Sequence, residues 1–180
     1  DPIPYDFEHY QIDYSNLNKM CATGEYSFII FCQSDLLTVP DLGKINMPTN
    51  MGIIYDATQT LGLIAGKCLP NPLDYANVVL LGGTHKTLPA AACGLIMTNT
   101  DLYIKKLSSN ITPNYLRDIQ PNHMACLLLA LIEQIEYGEI YQNTTITLAN
   151  MLGKTLEKYG FNVAKISDNK YTMTHQIFLL

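Results

Sequence analysis

The apolar positions of this chain fall first into short runs between polar breakers and then into a long stretch with helical spacing. Ser27–Cys32, Met51–Tyr55, Asn77–Leu81 and Gly94–Met97 are rich in β-branched, aromatic and other apolar residues, and each predicts a strand. The third runs on as Val78-Val79-Leu80-Leu81-Gly82-Gly83; without alternation, it reads as a strand buried on both faces. Only about a dozen residues separate it from the fourth, too few for a helical crossover, so the fourth is expected antiparallel to it. Ile12–Ala22 predicts a short helix with Asp13 as N-cap and Gly24 just past its end. Pro40, Gly43 and Pro48 break the segment from Leu36 to Asn50 into loop with at most a helical turn. Leu61–Ala65 predicts a short helix closed by Gly66.

Beyond the fourth strand the period becomes helical. Asp101 is expected to cap a helix through Leu107, with Lys105 and Lys106 in its last turn. Asn122–Tyr141 predicts a long helix whose buried face carries Met124, Leu128, Leu131 and Ile135. Thr144–Tyr159 predicts another, with Leu148, Leu152, Thr155 and Leu156 on one face and Gly160 as its stop. Asn162–Ala164 and His175–Leu180 read as strands. The sequence stops inside the last apolar run, where a cut strand would leave unpaired edge groups, and a longer polypeptide is expected around it.

Composition narrows the classes. Of 180 residues, 48% are hydrophobic and 15% charged, which is globular rather than disordered. A net charge of -5, with no basic cluster larger than Lys105-Lys106, argues against nucleic acid as a partner. No apolar run approaches the ~20 residues of a membrane span. The opening residues carry no signal-peptide pattern. Five cysteines without CxxC spacing read as free thiols of a reducing compartment, and a cytoplasmic location and no metal site are expected.

The chemistry gathers where the strands end. The first three are followed by Ser34, by Asp56, and by Thr84-His85-Lys86. If these strands are parallel neighbours, the groups share the sheet edge at which α/β proteins bind ligands. Taken alone, each has a plain reading. Lys86 would be a solvated surface lysine, and His85 stands where a phosphate-binding loop needs glycine. Asp56 with Gln59 three residues on would be a capping box, Ser34 a turn cap and His85 a structural histidine. Taken together, they offer an amine able to form a Schiff base and a carboxylate able to keep a pyridine nitrogen protonated, the pair that pyridoxal phosphate requires of its protein.

The run Tyr55-Asp56-Ala57-Thr58-Gln59-Thr60-Leu61-Gly62-Leu63-Ile64-Ala65-Gly66, with Thr84-His85-Lys86-Thr87-Leu88-Pro89 and Gly94-Leu95-Ile96, resembles serine hydroxymethyltransferases and the related threonine transaldolases. These are pyridoxal phosphate enzymes of the aspartate aminotransferase fold type. The resemblance is strongest from Ile29 to Asn99 and continues more weakly through Asn122-His123. It implies an α/β fold with a mostly parallel sheet and one antiparallel strand. Residues 1–120 would be the second half of the large cofactor-binding domain. Residues 121–180 would be a connecting helix and the start of a small α+β domain. It implies that Lys86 holds the cofactor covalently, that Asp56 pairs with its ring nitrogen and that Ser34 meets its ring hydroxyl, with Thr84, His85 and Gln59 alongside. The reaction implied makes or breaks the bond between the α- and β-carbons of an amino acid, in a homodimer or in association with the rest of the enzyme.

The departures mark rivals. Gln59 stands where the family usually has histidine, and Pro89-Ala90-Ala91-Ala92-Cys93 replaces its usual turn. Asp118-Ile119 or nearby residues stand where it places a Gly-Gly pair for phosphate. Arg117, the single arginine, matches no family position. The family's phosphate cup and ring-stacking aromatic would precede residue 1, and its carboxylate-binding arginine would follow residue 180. Transamination, decarboxylation and a non-catalytic homologue remain open beside the aldol reading. A Ser34/Asp56/His85 hydrolase lacks the nucleophile-elbow glycines.

Overall fold

The computed structural model describes residues 1–112, 114–118 and 120–180. A two-residue hairpin of β1 (Tyr5–Asp6) and β2 (Gln11–Ile12) leads into helix α1 (Tyr14–Ala22). Asp13 caps α1 by accepting from the Asn16 amide at 3.1 Å, and Gly24 follows it with φ of 74°. One sheet then organises the molecule. It contains β3 (Phe28–Cys32), β4 (Gly52–Asp56), β5 (Val78–Gly83) and β6 (Gly94–Thr98), in that spatial order. The first three are parallel and β6 is antiparallel to β5, as the short connection requires. The breaker-rich loop before β4 holds a single 3-10 turn, Leu42–Lys44.

The core lies on one face of this sheet. Ile29 and Phe31, Ile53 and Tyr55, and Val78 and Leu80 pack there against Leu17 and Cys21 of α1, with Leu61, Leu88 and Leu127. The opposite face is open: Phe28, Ile30 and Ile96 are exposed, and Val79 and Leu81 are half-buried. The uninterrupted apolar run of β5 therefore has only one face buried here. Its composition suits two covered faces, and these residues supply a cover for one.

Helix α2 (Leu61–Ala65) lies between the sheet and α4 (Pro121–Lys158), a continuous helix of 38 residues. At 1.5 Å per residue it is about 57 Å long. The expected break near residues 142–143 does not occur. Asn143, Thr144 and Thr145 donate from their side chains to the carbonyls of Glu139, Ile140 and Tyr141 at 2.8–3.0 Å, so the polar cluster is absorbed within the helix. The buried face is also a different one. Leu127, Ala130, Gln134, Gly138, Gln142, Ala149 and Gly153 are buried. Leu128 is 61% exposed and Ile135 88%, and Met124, Leu131, Leu148, Leu152 and Thr155 are exposed with them, while Leu156 is half-buried. Close approach decides this. A Cβ on Gly66 would stand 2.6 Å from the Gly138 carbonyl oxygen, so α2 and α4 meet through small residues.

Two smaller expectations also change. Helix α3 (Asp101–Ile111) has Thr100 as its N-cap, so Asp101 is its first residue and favours the helix dipole from there. It runs past Leu107, which takes Lys105 and Lys106 out of the last turn. The two terminal strands reduce to one antiparallel bridge, Val163 to Leu179. The rest of the segment is held by side chains. Thr172 and Thr174, both fully buried, donate to the Leu37 and Leu36 carbonyls at 3.3 and 2.9 Å. Among the described residues no helix is long and apolar enough to cross a membrane.

The tightest contact in this frame is at Gly62, where an added Cβ would stand 2.1 Å from the Thr87 carbonyl oxygen. Gly62→Ala is expected to lower stability by about 1–3 kcal/mol through backbone displacement. Gly94→Ala, where a Cβ would meet nothing within 4 Å, should stay within about 0.5 kcal/mol of the parent. Equilibrium denaturation of the full-length protein measures both.

Candidate functional site

The parallel register places Cys32 beside Asp56 and Asp56 beside Leu81, so the chain leaves three neighbouring strands along one edge. Asp56 is the last residue of β4 and is half-buried. Its Oδ1 accepts from the Thr58 amide at 2.9 Å, and the Cys32 thiol donates to its Oδ2 at 3.7 Å. Burial and this carboxylate both push the thiol's pKa up, which keeps it a donor. The cap of α2 is Thr60, so Asp56 and Gln59 do not form its capping box. The carboxylate is held at the strand end by its own turn.

The lysine turn is knotted to the aspartate turn. The Gly83 amide donates to Thr58 Oγ1 at 3.1 Å. Thr87 Oγ1 donates to the Gln59 carbonyl at 2.8 Å and accepts from the Gly62 amide at 3.0 Å. Gln142, reaching in from α4, donates from Nε2 to the Thr87 carbonyl at 3.0 Å. Thr84 closes the base of the turn. Its hydroxyl accepts from the Cys93 amide at 2.9 Å and donates to the Ala91 carbonyl, and its own amide donates to the Cys93 carbonyl at 3.0 Å. Two fully fixed threonines thus flank two residues, His85 and Lys86, that stand exposed.

The sequence-predicted residues take distinct places. Lys86 and Gln59 line one cleft of about 300 Å³ with Thr87, Tyr141, Gln142 and His175. Thr84 is wholly buried and its hydroxyl serves the turn. Ser34 is exposed two residues beyond β3, and its carbonyl accepts from Gln176 Nε2 at 3.0 Å. Among the described residues no hydrogen bond joins the side chains of Ser34, Asp56 and His85, as a hydrolytic triad would need. Ile119, the second residue of the pair matched to the family's phosphate glycines, lies outside the described residues.

Sequence reasoning missed Thr58, Thr87, Gln142 and His175. A signal for Gln142 was present: Ala130, Gln134, Gly138 and Gln142 recur every fourth residue, a small and amide-bearing stripe on a helix otherwise rich in leucine. His175 carried none. Burial pushes its pKa below the ordinary 6.5, and the Lys86 charge adds to that shift. A depressed folded value means that burying the neutral ring stabilises the fold above pH 6.5; this contribution is lost as pH falls through the lower folded value.

The knot makes Thr87 the most informative position. Thr87→Val keeps the shape and leaves the buried Gly62 amide without its acceptor, a loss of about 1–3 kcal/mol. Hydrogen exchange of the Gly62 amide should rise sharply in this variant, with the β3–β4 pairing unaffected.

Comparison with known proteins bears on the family and the fold. The family model described as serine hydroxymethyltransferase matches residues 2–175. The serine hydroxymethyltransferase of Pyrococcus horikoshii is 32% identical over 98% of this chain and 42% of its own length. That of Methanosphaera stadtmanae is 34% identical over 77% of this chain and 32% of its own. An L-threonine transaldolase from Pseudomonas fluorescens, solved in its internal aldimine state, shares the fold with a TM-score of 0.87 at 24% identity, over 98% of this chain and 41% of that one. The chain spans less than half the length of these relatives. It belongs to the serine hydroxymethyltransferase family.

Proposed function

We propose that this chain is the lysine-bearing part of a pyridoxal phosphate enzyme that makes or breaks the α–β carbon bond of an amino acid. The observation that carries the reading is the knot between the Asp56 and Lys86 turns at the ends of adjacent parallel strands. The donor set fits the cofactor. An exposed amine stands on a fixed turn, and at the end of the neighbouring strand a carboxylate is held through both oxygens by an amide and a thiol. In this reading Lys86 binds the cofactor covalently. Asp56 keeps the ring nitrogen protonated, and Ser34, two residues beyond β3, meets the ring hydroxyl. When bound, pyridoxal phosphate supplies an electron sink for charge developing at the substrate's α-carbon.

The chain's own residues do the rest. Thr84 and Thr87 hold the lysine's backbone, so only its side chain travels. In this reading His85, exposed beside it, passes a proton through its imidazole nitrogen. Gln59 has no titratable proton near neutral pH and orients by hydrogen bonding alone.

The same reading assigns residues 1–120 to the large domain and 121–180 to the connection into the small one. The open sheet face at Phe28, Ile30 and Ile96 and the leucine face of α4 support association with the rest of the enzyme and with a second copy in a homodimer. Five free thiols support a cytoplasmic location.

Borohydride reduction of the full-length, cofactor-loaded protein should fix the label on Lys86. Peptide mapping that finds another lysine labelled, and Lys86 clean, refutes the assignment. Asp56→Asn should lower turnover on the order of a hundredfold or more while cofactor still binds. Turnover within a few-fold of the parent would reduce Asp56 to a turn former.

A further inference from the structure

Three residues that line the cleft beside the lysine turn carry polar groups without partners. Gln142 is fully buried in α4 and spends its amide nitrogen on the Thr87 carbonyl, which leaves Oε1 as a buried acceptor with no donor. His175, on the segment that follows α4, is half-buried, and its Nδ1 is buried with no partner. Lys86 lines the same cleft, and among the described residues its amino group forms no ion pair. A buried acceptor without a donor costs about 1–3 kcal/mol, so two of them on residues that line one cleft with an exposed amine form a complementary set.

We propose that this cleft is the docking place of the Lys86 amino group whenever it is not bonded to the cofactor, with Gln142 Oε1 and His175 Nδ1 accepting its hydrogens. The inference rests on the reading of Lys86 as the cofactor-binding amine. It assigns Gln142 and His175 as positioning residues. An amine displaced by a substrate's own amine needs somewhere to wait within reach of its return. Left in solvent, a lysine side chain would sample many rotamers and would have to pay that entropy again on each cycle. Here the backbone of the turn is fixed by Thr84 and Thr87, and the receptor is built on α4 and the segment after it.

Protonation state matters to the receptor. Nδ1 accepts only while the ring is neutral with its hydrogen on Nε2. Burial and the neighbouring Lys86 charge both favour the neutral ring. The other titratable group facing the cleft is Tyr141 of α4. Acidification that protonates His175 would remove the acceptor and set like charges side by side, expelling the lysine.

Two measurements on the cofactor-free, full-length protein test the proposal. The first follows the His175 ring by NMR titration. Lys86→Met removes the neighbouring charge and should raise the His175 titration midpoint; an unchanged midpoint overturns the proposal. The second is competitive acetylation, with the exposed Lys105 of α3 as internal reference. His175→Phe fills the site without an acceptor and should raise Lys86 labelling relative to Lys105 roughly fivefold, the factor expected for one lost hydrogen bond. His175→Leu, which also lacks an acceptor, gives the same reading should the phenylalanine variant fold poorly. Equal labelling in parent and variant overturns the docking. These readouts are separate from the borohydride map: a label on Lys86 with a silent titration sinks the docking alone, and a label elsewhere sinks the cofactor assignment.

Discussion

Everything at this sheet edge depends on one hydroxyl. Thr87 Oγ1 donates to the Gln59 carbonyl and accepts from the Gly62 amide, so one atom joins the turn after β5 to the start of α2. Gln142 adds the long helix by taking the Thr87 carbonyl. Three elements far apart in sequence thus share one buried residue, and no glycine-free version of Gly62 could come close enough to permit it. Lys86, the residue just before this clamp, has a fixed main chain and an exposed side chain.

The aspartate is treated differently. Its carboxylate receives the Thr58 amide of its own turn on one oxygen and, on the other, the thiol of Cys32, which the parallel register sets beside it. A carboxylate so held has a fixed direction and needs no partner from the lysine turn. The carboxylate is thus oriented within its own strand end, and the Gly83 amide on Thr58 Oγ1 with the Thr87 contacts fixes its spacing from the lysine turn. Groups fixed in this way by backbone and turn contacts do not have to reorganise when charge develops nearby.

Strands and turns were legible because each signal was local. Apolar runs bounded by glycine and proline predicted all four strands of the main sheet, and the short connection predicted that β6 is antiparallel. The order of Asp56, Gly62, Lys86 and Gly94 carried the family. The long helix was misread for a physical reason. Hydrophobic spacing identifies the most apolar face, at Leu128, Leu131 and Ile135. The face buried within this chain is the one that allows close approach: Ala130, Gln134, Gly138 and Gln142. Apolarity measures the tendency to leave water and says nothing about which neighbour is near. His175 was invisible because its place beside Lys86 arises from a fold-back between residues some ninety positions apart, and no local pattern encodes that.

The β5–β6 pairing also sets how this region can tolerate insertions and deletions. The ladder closes at Gly83 and Gly94, and Thr84 ties the first residue of the loop to Ala91 and Cys93. A residue gained or lost between Pro89 and Ala92 alters the loop's contour while the strands keep their register. A single residue inserted into Val78–Leu81 would exchange the buried Val78 and Leu80 for Val79 and Leu81 and turn the core side of the strand outward. Length variation in descendants of this sequence should therefore collect on the far side of the lysine, in the alanine run, and be absent from the strand that delivers it.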